Sequence, residues 1–274
     1  MAQALLKNGD NVIVETPTCN GALGLFEALH VNPVGWNGLM ALCMKGGIFM
    51  NVSKRLAELA DLKSNETAII CGEQHFTYKA LNTGAAALAE YLMGQGLGKR
   101  DNLAVILPNC VEFALVYFAA AKIGATFTPI DNRLGARQID AILKDTGARV
   151  CFVFSGFTQQ HSLSHPVRVI DVEGETFIAI MQKPPACDDI TADIDPADTA
   201  LYLHTSGTTG RPKIVELSYA NLHCFPEAMK ECTIQGEEEV LGIILPMSFR
   251  PRQGCSLKKT YGALSEETRR HKNA

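Results

Sequence analysis

Between Met50 and about residue 249, apolar and polar positions alternate as short strand-like runs separated by longer stretches of helical period. Asn51 to Ala60 predicts a short helix, Thr67 to Cys71 a strand and, after Gly72, a second strand through Phe76. Thr77 can then cap a helix, because its hydroxyl accepts from first-turn amides that lack a partner of their own. Leu81, Leu88 and Leu92 place one apolar stripe on that helix, which runs out in the glycines at 94, 96 and 98. Leu103 to Leu107 reads as a strand stopped by Pro108, and Cys110 to Ile123 as a helix apolar nearly all round. Thr126 to Ile130 (strand), Gly135 to Thr146 (helix) and Arg149 to Phe154 (strand) continue the alternation. Elements of these lengths in this order imply parallel βαβ units, hence an α/β fold with a parallel sheet flanked by helices.

Gln182 to Asp198, with Pro184, Pro185, Pro196 and five aspartates, reads as a linker. Thr199 to His204 and Ile214 to Leu217 are strand candidates, Tyr219 to Cys232 a helix, and Val240 to Leu245 a last buried strand before Pro246. The flanks differ from this middle. Residues 250–274 carry seven basic and two acidic residues with few apolar ones, the composition of a solvated basic tail. A nucleic-acid arm and readthrough in another frame are the two origins open for it. Residues 1–49 form an N-terminal extension, so the expected organisation is 1–49, 50–249 and 250–274.

A formal charge of -4 gives no drive of the whole chain toward nucleic acid or an anionic membrane. Phe113 to Ala121, the longest apolar run, is well short of the about 20 residues that span a bilayer, so no transmembrane segment is expected. No secretory signal is visible in MAQALLKNGDN, and a cytoplasmic location is the default expectation. Nine cysteines, an odd number without CxxC spacing, read as reduced and mostly buried thiols rather than disulfides or a zinc site. His161 and His165 have i, i+4 spacing but lie in a Ser-rich stretch, so a surface loop is preferred to a metal site.

The chemistry concentrates in Thr205-Ser206-Gly207-Thr208-Thr209-Gly210-Arg211-Pro212-Lys213, between two strand candidates. Hydroxyl donors, two glycines that let backbone approach an anion, and a lysine make a phosphate cradle. It is not a Walker A loop, since Pro212 precedes the lysine and Ile214 follows it where Gly and Ser or Thr are needed. The bland alternative is a flexible surface turn.

This stretch resembles the TSGTTGxPK signature of the adenylate-forming (AMP-binding) superfamily of acyl-CoA synthetases, luciferases and peptide-synthetase adenylation domains. Phe76-Thr77-Tyr78-Lys79-Ala80-Leu81 is similar to the family's early LTYxEL element, and Ala121 to Asp131 to its KxGAxxxPID element. The style of PNCVEFALVYFAAAKIGA is that of the fatty-acyl and aryl CoA-synthetase branches. The resemblance implies a partial N-terminal domain of the adenylate-forming fold, with the start of a second sheet. It also implies a two-step ligase: ATP and a carboxylate give an acyl-adenylate and pyrophosphate, then coenzyme A takes the acyl group, with Mg2+ accompanying ATP. Thr205, Ser206, Thr208, Thr209 and Lys213 would donate to the outgoing phosphates, and Gly207 and Gly210 would serve by lacking side chains. Thr77 and Pro129-Ile130-Asp131 would be structural, and Phe249 would line the acyl pocket.

Departures are Ile214 where the family usually has Gly, and Tyr219 where it commonly has His. The adenine- and magnesium-contacting Tyr-Gly-x-Thr-Glu element, the ribose-binding Asp and the adenylation lysine are not recognised, and Tyr261-Gly262-Ala263-Leu264-Ser265-Glu266 echoes the first of these only superficially. The expectation is therefore a truncated ligase without catalytic residues of its own and inactive alone; the alternative is a noncatalytic pyrophosphate-binding remnant or pseudogene product. Residues 9–39, around Val12-Ile13-Val14-Glu15-Thr16-Pro17-Thr18-Cys19, resemble a short piece of a pyridoxal-phosphate aminotransferase, which makes a fusion remnant the expectation for the extension and a pyridoxal-phosphate protein a third reading.

Overall fold

The computed structural model describes residues 11–14, 32–35, 51–157, 163–205 and 213–222. Strands β1 (Asn11–Val14) and β2 (Asn32–Gly35) pair in parallel, Asn11 opposite Asn32, and belong to a separate unit. Both strands fall within residues 9–39, and the helix expected there lies outside the described residues.

The larger unit opens with α1 (Val52–Leu62), capped by the Asn51 carboxamide, which accepts from the Ser53 amide at 3.0 Å. A hairpin of β3 (Thr67–Cys71) and β4 (Gln74–Thr77) turns at Gly72, whose φ of +60° suits glycine. It leads directly into α2 (Tyr78–Gly94), where the Thr77 hydroxyl accepts from the Ala80 amide at 3.1 Å. The predicted cap is therefore formed, and Leu81, Leu88 and Leu92 are all buried.

The alternating part builds β5 (Asn102–Ile106), α3 (Val111–Ile123), β6 (Thr126–Pro129), α4 (Ala136–Thr146), β7 (Ala148–Val153), β8 (Arg168–Asp171), α5 (Glu175–Gln182), β9 (Thr199–Thr205) and β10 (Lys213–Ser218). One six-stranded sheet runs β10-β9-β6-β5-β7-β8, parallel throughout except for the antiparallel β9–β10 edge. From β5 the chain steps one way to β6, then back past β5 to β7. Right-handed crossovers then require α3 and α4 on opposite faces. The core obeys this: Leu103, Val105, Phe127 and Phe152 pack with α2, α3 and α5, while Ala104, Ile106, Cys151 and Val153 pack with Ile139, Ile142 and Leu143 of α4. Burial of both faces explains the uninterrupted apolar runs in the sequence.

β8 and α5 were not anticipated from the sequence, and the linker behaves differently from its composition. Residues 183–198 hold no regular element, yet their backbone is pinned to the helices. The Asp188 carbonyl accepts from Lys122 Nζ at 2.9 Å and Asn82 Nδ2 at 3.3 Å, and the Ala186 amide donates to Glu90 at 2.7 Å. Gly124, at φ +70° after α3, lets this segment approach; a Cβ there would lie 3.1 Å from Ala192 Cβ and 3.2 Å from Ile194 Cγ2. Among the described cysteines, Cys151 is buried, Cys71 and Cys110 are half-buried and Cys187 is exposed, all free, so burial is less general than expected. Burial pushes the Cys151 thiol up to about 12, where it is inert. His161 lies outside the described residues; the His165 amide donates to Asp140 at 3.2 Å. No helix among the described residues is long and apolar enough to cross a membrane.

Candidate functional site

In a parallel sheet the ends of consecutive strands gather at one edge, and ligands bind where the chain order reverses at the carboxyl ends. β6 and β9 run in parallel with Phe127 opposite Leu201, so Pro129, Ile130 and Asp131 leave the sheet at the edge that Thr205 reaches. Thr205 closes β9, Lys213 opens β10, and the two are register partners. β9 and β10 thereby form a hairpin at that edge, with Lys213 exposed. Of the expected donors, Thr205 and Lys213 are brought together by their backbones; Ser206, Gly207, Thr208, Thr209 and Gly210 lie outside the described residues, as do Phe249, the Val240–Leu245 strand and the tail from 250.

Two titratable groups lie at this edge, and of these His204 was not singled out in the sequence. Asp131, nearly buried, takes two guanidinium bonds from Arg133, Nε to Oδ1 at 2.9 Å and Nη2 to Oδ2 at 2.6 Å, and its Oδ1 also caps the Arg133 amide at 2.9 Å. The side-chain bonds from Arg133 hold its carboxyl below the usual carboxylate range. This fits the structural role expected for the Pro-Ile-Asp turn. The second group is His204, the residue before Thr205. Burial holds its imidazole below the ordinary histidine value, outweighing the nearby Asp131 carboxylate. A titratable residue closing the alternation Ala200, Tyr202, His204 was the available signal.

Further along the hairpin, Thr199 Oγ1 donates to the Glu216 carboxylate, and the Tyr219 hydroxyl donates to the Ala125 carbonyl at 3.3 Å. Tyr219, the departure from the family's His, is thus a buried anchor of the strand that follows the loop. Among the described residues no cluster of three or more His, Cys, Asp or Glu is arranged to hold a metal ion, and both carboxylates beside the hairpin are already engaged.

The family model described as AMP-binding enzyme matches residues 56–257. A long-chain-fatty-acid–CoA ligase, FadD13 of Mycobacterium tuberculosis, is 32% identical over 154 residues, 54% of this chain and 30% of the ligase. A PKS-NRPS hybrid synthetase, acdB of Aspergillus candidus, is also 32% identical, over 166 residues that make up 61% of this chain and 7% of the synthetase. Equal identity to both does not divide the CoA-ligase and peptide-synthetase branches. The solved Mycobacterium tuberculosis fatty acyl CoA synthetase superposes with a TM-score of 0.55 at 26% identity, covering 62% of this chain and 34% of that one. The chain thus spans about a third of the length of these CoA-ligase relatives. The α/β sheet, the hairpin that brackets the signature loop and the match over 56–257 have one conclusion: the chain belongs to the AMP-binding enzyme family.

Proposed function

We propose that this chain supplies the pyrophosphate-side part of an ATP-dependent carboxylate–CoA ligase. In the first step a carboxylate oxygen attacks the α-phosphorus of ATP and the bond to the β-phosphate oxygen breaks, leaving acyl-adenylate and pyrophosphate. In the second, the coenzyme A thiol attacks the acyl carbonyl and expels AMP. Negative charge grows on the leaving pyrophosphate during the first step. Hydroxyls of Thr205, Ser206, Thr208 and Thr209 and the Lys213 ammonium donate to that charge, while Gly207 and Gly210 let the backbone close on it. The observation that carries this reading is the pairing of Thr205 with Lys213 at the carboxyl edge of the sheet, which places both ends of the signature loop at one point.

Mg2+ and coenzyme A enter through the family; the described residues offer magnesium no ligand set of their own. Phe249 is a proposed wall of the acyl pocket, and a fatty or aryl acid is the proposed substrate class. Residues 9–39 carry no part of this reading, since they lie outside the matched 56–257.

Adenylation needs carboxylate, ATP and transition-state charge stabilisation brought together, and the residues assigned here act on the phosphates only. The 274-residue polypeptide alone is therefore expected to give no ATP–pyrophosphate exchange with a panel of fatty and aryl acids. Robust exchange lost in Lys213→Ala would show that these residues complete an adenylation centre.

A further inference from the structure

We draw no further inference here: the strongest candidate, the side-chain pair at the carboxyl end of β6 in which nearly buried Asp131 holds the exposed guanidinium of Arg133 by bonds of 2.9 and 2.6 Å, belongs to the site already described.

Discussion

Phe152→Ala is expected to destabilise the larger unit by about 3–5 kcal/mol, the scale for removing a fully buried aromatic from a close-packed core. Phe152 is 0% exposed on β7, an interior strand, opposite Val105 of β5 on one side and Ile170 of β8 on the other. Its ring meets Phe177 of α5 edge to face, with centroids 6.4 Å apart. Few atoms nearby can move inward, because strand pairing on both sides fixes the backbone around the cavity. Urea unfolding at 25 °C measures the change. A loss below 1 kcal/mol would mean that β7 is not an interior strand buried on both sides.

The second large effect is expected at Lys122, whose side chain is 0% exposed at the last turn of α3. Burial lowers its affinity for a proton, while Asp189 and Asp188 pull the other way. Its ammonium donates to the Asp188 carbonyl at 2.9 Å, and its own carbonyl accepts from the Ala192 amide at 2.8 Å. Lys122→Ala removes the first bond, leaves a void the length of the side chain and takes the cation away from Asp188 and Asp189. The expected cost is about 2–4 kcal/mol by the same unfolding measurement, combining a cavity with a lost charged hydrogen bond. Increased proteolytic cleavage within 183–198 should accompany it, since that segment is held by such contacts rather than by a ladder. Unchanged stability together with unchanged cleavage would show that Lys122 does not anchor it.

These two sites also show which parts of the fold were legible. Phe152 lies in an apolar run between glycine-marked turns, and such runs gave β3, β5, β6, β7 and the helices between them to within one or two residues, as did the Thr77 cap. What escaped has little periodic signal. β8 has four residues with only Ile170 buried, and α5 buries only Phe177 and Ile180. The linker misled for a complementary reason: its own composition is that of solvated coil, while its order comes from Lys122, Asn82 and Glu90, residues 60 to 110 positions earlier in the chain. The candidate site divides in the same way. Its loop is local in sequence and was read directly, whereas the place of His204 near Asp131 depends on β9 lying beside β6, a pairing no local pattern encodes.

The central claim is that the loop between β9 and β10 binds the phosphates of ATP, with Lys213 holding charge at its base. Calorimetric titration of pyrophosphate into the wild-type chain and Lys213→Ala tests it most directly. The account predicts weak saturable binding by the wild type and a loss of about 1–3 kcal/mol in the variant, as for one charged hydrogen bond, or roughly 5- to 150-fold in Kd. Superimposable titration curves for the two proteins would contradict it.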